Sequence, residues 1–291
     1  MAADKHPRFL YTKGNGGVFM KLGLVQTKHN AMYNFLNPDF PFDRGTCLAM
    51  QAAQVEQNLT LLAEAARQGY DLLVTTECIN YIRTSNRNTP ADAALYPPLE
   101  NPQTAALADA ARQANAWLVA GYAFREGTDV YTAALIFDRT GTLRQVYRKT
   151  HLAGDESAVF TPGDALCVQD ADFGRFGVCI CWDMQFPEVA RTLALRGAQL
   201  VVCPTWGWEA DLYGRARAYE NGIFTAAAMA VPGWGNIEAP RTPSSVIKPD
   251  GTMVTCGPAD QAAVVGCEID LTQTAAYHDI RLNARRPDLY F

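Results

Sequence analysis

Residues 174–205 read GRFGVCICWDMQFPEVARTLALRGAQLVVCPT, and this run predicts a strand, a helix and a second strand. The segments GVCIC and LVVC are apolar at consecutive positions, which is typical of strands covered on both faces. Between them, Pro187 stands where a proline suits the first turn of a helix, and the helical pattern continues to about Arg196. Strands joined by a helix in this way are parallel neighbours, so the run predicts an α/β fold.

The same alternation continues on both sides of this run. Upstream, the strand patterns KLGLVQT, YDLLVTTE and WLVAGYAF are separated by helical patterns at about 48–68 and 104–115. Downstream, a helical pattern at 210–220 leads to the strand patterns IFTAAAMAV, SSVIKPDGTMVTC and AAVVGCEID. Residues 130–138 and 143–151 flank the turn sequence RTGT and predict a hairpin, which introduces antiparallel pairing. The sequence therefore predicts a mixed sheet in layers with helices.

Composition limits the fold and the partners. With 291 residues, 48% of them hydrophobic, the chain can bury a large core, and we expect one domain over residues 20–291 after a flexible arm at residues 1–19. The formal charge of −5 argues against a nucleic-acid partner, because phosphate binding needs clustered Lys and Arg. The apolar runs are too short for a membrane span, and the N-terminal residues lack the apolar core of a signal peptide. A cytoplasmic location, with neither membrane nor nucleic acid as partner, is therefore expected.

Eight cysteines occur, and most of them lie inside apolar runs such as QLVVCPT and AVVGCEID. This placement is typical of buried free thiols, so no disulfide framework is predicted. Cys179 and Cys181 are spaced to share one face of a strand, and His151 is a candidate third ligand of a zinc ion. The sequence contains neither a C-x-x-C nor an H-x-x-x-H pair to add to this C-x-C, so it predicts no metal and places Cys179 in the core.

Three predicted strands end in ionisable residues: Glu77, Lys149 and Cys181. Singly, each has an ordinary explanation, as a solvated strand end or helix cap, a basic edge or a core thiol. Together they supply the parts of a thiol hydrolase, because a cysteine nucleophile needs a base for its proton and a cation stabilises the charged intermediate. Ligands of α/β folds gather at the carboxyl ends of strands, so we expect the three residues to meet in one site.

Six runs of the sequence, in order from about Met20 onward, resemble the signature blocks of the nitrilase superfamily of carbon–nitrogen hydrolases. The runs are LLVTTE, YRKTHLAGDESAVFTPGD, residues 174–205, RARAYENGIFTAAA, SVIKPDGTM and RRPDLY. The resemblance implies a four-layer α-β-β-α sandwich, and members commonly pair through helices to extend it. It also implies hydrolysis of a small molecule without a cofactor, by a homodimer or a higher homo-oligomer.

The resemblance implies roles for the residues that match these blocks. Cys181 is the expected nucleophile, Glu77 the general base and Lys149 the cation that orients and stabilises the intermediate. Glu156, which stands just before the FTPG run, matches the second glutamate of the family, which positions the lysine and the substrate amine.

Two tryptophans are the expected substrate contacts. The backbone amide of Trp182 would complete the oxyanion site with the lysine, and Trp206 falls where the family often lines its pocket. His151 is the candidate base of a rival Cys–His hydrolase, but we expect it to support the site rather than to catalyse.

The residues after the predicted nucleophile bear on the substrate. The run CWD at 181–183 followed by FPE resembles the amidase and N-carbamoyl branches, whereas true nitrilases have Glu-Asn after the Cys-Trp pair. We therefore expect hydrolysis of a small amide through a cysteine thioester, with N-carbamoyl amino acids or β-ureido acids, and then nitriles, as alternatives. A carboxylate in an N-carbamoyl substrate would need a cation, and the candidates are Arg125, Arg175, Arg191 and Arg241. A catalytically silent scaffold protein is the alternative of a different class.

Overall fold

The computed structural model describes residues 19–29, 31–33, 40–231 and 241–290. The predicted flexible arm, residues 1–19, lies outside these ranges except for Phe19, which is the first residue of a strand.

The first sheet contains six strands. They are β1 (Phe19–Gln26), β2 (Leu72–Val74), β3 (Trp117–Glu126), β4 (Asp129–Phe137), β5 (Leu143–Arg148) and β12 (Ala263–Asp270). Their order across the sheet is β12-β1-β2-β3-β4-β5. The strands β1, β2 and β3 are parallel, whereas β12, β4 and β5 pair antiparallel with their neighbours. The predicted hairpin is confirmed as β4 and β5.

The second sheet also contains six strands. They are β6 (Cys167–Ala171), β7 (Gly174–Val178), β8 (Leu200–Thr205), β9 (Phe224–Met229), β10 (Ser245–Ile247) and β11 (Met253–Cys256). They lie in this order, with β7, β8 and β9 parallel and the other neighbours antiparallel. The sequence patterns did not include β6, because its CVQDA run lies at the sheet edge, is only partly buried and has no apolar stretch.

Within the described ranges, five α-helices connect or follow the strands. They are α1 (Arg44–Ala66), α2 (Pro102–Ala114), α3 (Pro187–Leu195), α4 (Arg215–Asn221) and α5 (Thr274–His278). Helix α1 begins earlier than predicted because the Asp43 side chain accepts a hydrogen bond from the backbone N–H of Thr46 at 3.0 Å and caps the helix there. None of the described helices is both long and apolar enough to cross a bilayer.

The two sheets pack face to face around a core that both supply. Leu22 of the first sheet and Val178 of the second are completely buried in it. The outer face of the first sheet packs on α1 and α2, where Leu62 and Leu107 are buried. The outer face of the second sheet packs on α3 and α4, where Leu193 is buried. This arrangement confirms the predicted four-layer α-β-β-α sandwich.

Candidate active site

The carboxyl ends of the parallel strands in both sheets meet at one side of the sandwich. The segment after β1 pairs with the segment after β9, because His29 N donates to Val231 O at 2.8 Å and Val231 N donates to Thr27 O at 2.9 Å. Across the sheets, the indole N–H of Trp206, after β8, donates to the backbone oxygen of Glu77, after β2, at 2.7 Å. The expected meeting of strand ends is therefore present in the fold.

Glu77 lies in a sharp turn whose backbone presses against β3. Ile79 N donates to Gly121 O at 2.9 Å. A Cβ added to Gly121 would lie 2.2 Å from the backbone oxygen of Thr76 and 2.8 Å from Cα of Glu77, so only glycine permits this approach. Cys78 continues the turn with a left-handed φ of 43°. The position of the glutamate is thus fixed by backbone packing.

Lys149 follows β5 and places its ammonium group between two glutamates. Its Nζ donates to Oε1 of Glu77 at 2.7 Å and to the two carboxylate oxygens of Glu156 at 2.8 and 2.9 Å. The side chains of Lys149 and Glu77 are 0% and 1% exposed, and that of Glu156 is 14% exposed. A lone charge at this depth would be strongly destabilising, so the three groups form one mutually compensating cluster.

The cluster shifts the acidity of its members. Burial raises the pKa of Glu77 to about 7, against the opposing charge of Lys149 and with the negative charge of Glu156 adding to the rise. Burial alone would lower the pKa of Lys149, but the negative charges beside it raise that pKa well above its ordinary value. Within the described part of the chain, Oε2 of Glu77 has no hydrogen-bond partner. Lys149 therefore stays charged, while Glu77 can accept and release a proton near neutral pH.

Two residues separate β7 from Cys181, which begins a short 3₁₀ helix, Cys181–Gln185. Its φ is 44°, a left-handed conformation that is uncommon for a residue other than glycine. Burial raises the pKa of the thiol, the charge of Glu77 raises it further, and the charge of Lys149 lowers it. The residue is nevertheless partly exposed. The structure thus brings the three predicted residues together, with a partly exposed cysteine beside a buried carboxylate and ammonium.

Asp183 links the turn of Cys181 to the segment after β5, a role that the sequence analysis missed. Its carboxylate is completely buried. One oxygen accepts hydrogen bonds from Tyr147 Oη at 2.7 Å and Ile180 N at 2.9 Å. The other accepts from Thr150 Oγ1 at 2.8 Å and His151 N at 2.9 Å. The signal available in the sequence was an aspartate at the third position of a helical turn, where its side chain caps the preceding backbone.

The two predicted substrate contacts have different surroundings. The side chain of Trp182 is 42% exposed, and its backbone N–H lies in the first turn of the 3₁₀ helix, where amides lack partners within the helix. The ring of Trp206 packs edge-on against Tyr81, with 4.9 Å between ring centroids. Since its indole N–H also binds the backbone of Glu77, Trp206 supports the turn of the glutamate, which the sequence did not predict.

The residues of the two rival motifs have other partners. Nδ1 of His151 lies 2.9 Å from Oδ1 of Asp183, and its ring stacks on Phe186 with 4.1 Å between centroids. Cys179 is completely buried in the core that packs on α3, as predicted. Of the residues that the structure describes, no group of three or more His, Cys, Asp or Glu is placed to hold a metal ion.

Comparison with known proteins finds a family over most of the chain. Residues 42–279 match the carbon-nitrogen hydrolase family. A protein of Pseudomonas protegens called hydrolase in pqqF 5′ region is 33% identical over 249 residues, which cover 81% of this chain and 86% of the relative. Omega-amidase NIT2 of Danio rerio is 31% identical over 261 residues, which cover 79% of this chain and 88% of the relative.

Solved structures share the fold. A carbon-nitrogen hydrolase from Helicobacter pylori G27 superimposes with a TM-score of 0.77 at 22% identity, covering 94% of this chain and 97% of the other. A mutant amidase from Nesterenkonia sp. AN1, which carries the acetamide moiety of fluoroacetamide on its active site cysteine, gives a TM-score of 0.73 at 24% identity, covering 95% and 97%. With the family match and the relatives above, the chain belongs to the carbon-nitrogen hydrolase family and is a hydrolase.

Proposed function

We propose that this enzyme hydrolyses the C–N bond of a small amide, with Cys181 as nucleophile, Glu77 as general base and Lys149 as the stabilising cation. One observation carries the proposal: an ammonium group bound to two glutamates lies beside a thiol on a left-handed turn. Ionisable groups whose acidity is shifted by burial and by specific charge partners concentrate at catalytic sites.

The first half of the reaction forms a thioester. Glu77 takes the thiol proton while Sγ of Cys181 attacks the carbonyl carbon, and the electron pair of the C=O bond moves to oxygen. Lys149 and the backbone N–H of Trp182 stabilise this oxyanion. When the intermediate collapses, the C–N bond breaks and protonated Glu77 gives its proton to the leaving nitrogen. The products are ammonia or an amine and an acylated cysteine.

The second half consumes one water molecule. Glu77 takes a proton from the water, whose oxygen attacks the thioester carbon. The C–S bond then breaks, and the proton returns from Glu77 to the sulfur. A pKa of about 7 suits a group that must accept and donate a proton in turn. Glu156 holds Lys149 in place throughout, because it accepts hydrogen bonds from Nζ with both oxygens.

The relatives support an amide as substrate. One relative is named omega-amidase, and the Nesterenkonia protein is an amidase with a covalently modified cysteine. The same two steps would also act on the carbamoyl group of an N-carbamoyl amino acid or a β-ureido acid, and related steps would act on a nitrile. A substrate panel separates these alternatives.

Ammonia release from short aliphatic amides, ω-amides, N-carbamoyl amino acids and nitriles tests the proposal. We expect turnover on an amide class to exceed that on carbamoyl compounds and nitriles. Enzyme quenched during turnover should carry the mass of the acyl group on the peptide that contains Cys181. Turnover restricted to nitriles, or an acyl group on a different cysteine, would contradict the proposal.

Two glutamate variants provide a matched control. Glu77→Gln preserves shape but removes the base, so we expect its rate to fall by about 10²- to 10⁴-fold. Glu126→Gln removes an exposed glutamate that pairs with Arg148 at 2.7 Å, and its rate should stay close to that of the wild type. Equal rates for the two variants would rule out Glu77 as the base.

We further propose that the enzyme forms a homodimer or a higher homo-oligomer. Large apolar side chains are exposed near α4 and in the C-terminal segment: Leu212 at 67%, Tyr219 at 55%, Ile280 at 64% and Leu289 at 68%. Burying these side chains between two copies would remove apolar surface from water. Light scattering that finds a monomer at all concentrations would contradict this. The cytoplasmic location stays a prediction from the sequence.

A further inference from the structure

Arg241 lies beside the proposed nucleophile, over a glycine that leaves room for it. A Cβ added to Gly207 would lie 2.1 Å from Nη1 of Arg241 and 3.9 Å from Sγ of Cys181. The guanidinium group and the thiol therefore border the same small space, which any side chain at position 207 would enter. Arg241 is itself exposed, so a dissolved molecule can reach it.

The backbone next to Arg241 is anchored to the segment that follows β8. Thr242 N donates to the backbone oxygen of Trp208 at 2.9 Å, and Thr242 Oγ1 accepts from Ala210 N at 3.0 Å. These bonds tie the start of the arginine side chain to the segment that contains Gly207. A group held in this way loses less conformational freedom when it binds a ligand.

The charge of Arg241 has no compensating partner among the described residues. There it forms neither a hydrogen bond nor an ion pair. The charge of Arg241 also affects His29. Burial, and then the positive charge of Arg241, lower the pKa of His29 to about 4. His29 is therefore neutral at pH 7 and adds no second cation. By contrast, the charge of Lys149 is already compensated by two glutamates.

The other arginines considered from the sequence have different surroundings. Arg125 donates to a backbone oxygen of its own turn at 3.0 Å. Arg175 pairs with Asp170 at 2.5 Å. Arg191 lies near the acidic side chain of α4 and the basic C-terminal segment. Of the four candidates, Arg241 is the one that the structure places next to Cys181.

We propose that Arg241 binds a carboxylate of the substrate, so that the preferred substrates are short amides that carry a carboxylate near the scissile bond. This inference rests on the proposed amide hydrolysis. A guanidinium group can offer two parallel N–H donors to the two oxygens of a carboxylate, which fixes orientation as well as position. Arg241 would then set specificity, while the attack on the carbonyl carbon belongs to Cys181.

The test compares an anionic amide with an uncharged amide of the same chain length. Succinamate and butanamide are such a pair, and N-carbamoyl-β-alanine carries its carboxylate one atom farther from the carbonyl carbon. The wild type should prefer succinamate over butanamide. Arg241→Gln should lower kcat/KM for succinamate about 10- to 100-fold more than for butanamide, mainly through KM. Arg241→Lys should recover part of that loss because it keeps the charge.

Arg125→Gln is the control, since it removes an exposed arginine with a backbone partner and should change neither ratio. A larger loss for N-carbamoyl-β-alanine than for succinamate would support the carboxylate role and indicate that the site fits the longer spacing between the carboxylate and the carbonyl carbon. Equal losses for succinamate and butanamide in Arg241→Gln, or a wild type without preference for the anion, would overturn this inference and leave amide hydrolysis intact. A wild type that hydrolyses none of the three would overturn both proposals.

Discussion

The two sheets repeat one arrangement of strands but present different groups at their ends. Each has an antiparallel edge strand, then three parallel strands, then two antiparallel strands, so that β12 and β1–β5 correspond to β6 and β7–β11. The middle parallel strands are β2 and β8. Glu77 follows the first of these and Trp206 the second, and the two residues share a hydrogen bond. Corresponding positions of the two sheets therefore supply a carboxylate and the indole that holds its backbone.

In each sheet, one of the parallel strands is also followed by a cysteine with a left-handed backbone conformation. Cys78 has a φ of 43° and Cys181 a φ of 44°. In the first sheet Cys78 is 1% exposed, and the residue that contacts the lysine is the preceding Glu77. In the second sheet the cysteine, Cys181, is the partly exposed residue. A left-handed turn can therefore present either a base or a nucleophile, depending on which residue of the turn faces the site.

Exchanging the sulfur for oxygen in each turn should give the largest difference between the sheets. Cys181→Ser should lower the rate by roughly 10³-fold or more, because the alcohol is a far weaker nucleophile. Cys78→Ser should keep the rate within about tenfold of the wild type, since a hydroxyl can replace the thiol as the donor to Oδ1 of Asn80, 3.9 Å away. Ammonia release and the melting temperature of both variants give the answer. A Cys78→Ser enzyme as inactive as Cys181→Ser, yet fully folded, would show that the two cysteines do not differ in role.

The next test concerns the glycine that lets the turn of Glu77 approach its sheet. Gly121→Ala would force a Cβ to 2.2 Å from a backbone oxygen, which cannot move aside, so we expect a loss of about 3 kcal/mol in unfolding free energy and about 10²-fold in rate. In the other sheet, the three atoms nearest to a Cβ at Gly177 are side-chain atoms of Leu193, at 3.1 to 3.2 Å. Gly177→Ala should therefore cost about 1 kcal/mol with little change in rate. Urea unfolding and ammonia release measure both quantities, and equal effects would refute this account.

The sequence predicted the parts of both sheets that depend on local patterns. The apolar runs of β2, β7 and β8 indicated buried parallel strands, and Glu77, Lys149 and Cys181 were selected because each follows a strand. The bond of Trp206 to Glu77 and the network of Asp183 were not predicted, because they join residues far apart in the chain. The sequence also did not predict the repeated strand order, since the two sheets form the same topology from unrelated residues. Local periodicity reports burial, whereas these contacts depend on how the two sheets pack.

The hydrogen bonds of Asp183 join the turn of Cys181 to the end of β5 and the segment after it. A substitution at Asp183 tests whether these bonds position the nucleophile. Asp183→Asn replaces an acceptor with an amide whose N–H₂ group opposes several donors, so we expect a loss of about 2 kcal/mol in stability and about tenfold in rate. Asp172→Asn is the control, because that side chain is 57% exposed while it accepts hydrogen bonds from Trp117 and Arg139. It should cost less than about 1 kcal/mol and leave the rate unchanged. A normal rate in a folded Asp183→Asn enzyme would show that the turn of Cys181 keeps its conformation without the hydrogen bonds of the Asp183 carboxylate.

The smallest expected effect is the pH dependence of the rate, which identifies whether Glu77 or Cys181 is the titrating group. Burial raises the pKa of Glu77 to about 7, and only its ionised form accepts a proton. We therefore expect kcat/KM for an uncharged amide to fall about tenfold per pH unit below about pH 7 and to level off above it. A profile controlled by ionisation of Cys181 would instead rise at much higher pH, because burial raises the pKa of that thiol. The pH dependence of ammonia release separates the two.

Glu156→Gln provides a second test of the assignment of the acid limb to Glu77. The negative charge of Glu156 helps to raise the pKa of Glu77, so its removal should move the acid limb to lower pH. Because the pKa of Glu77 is higher in the folded chain than in the unfolded chain, its contribution to stability is complete at low pH and is lost as pH rises through about 7. Acidification from pH 7 to 6 should thus lower activity without any loss of melting temperature from this group. An acid limb that stays in place in the variant would assign the titration to a residue other than Glu77.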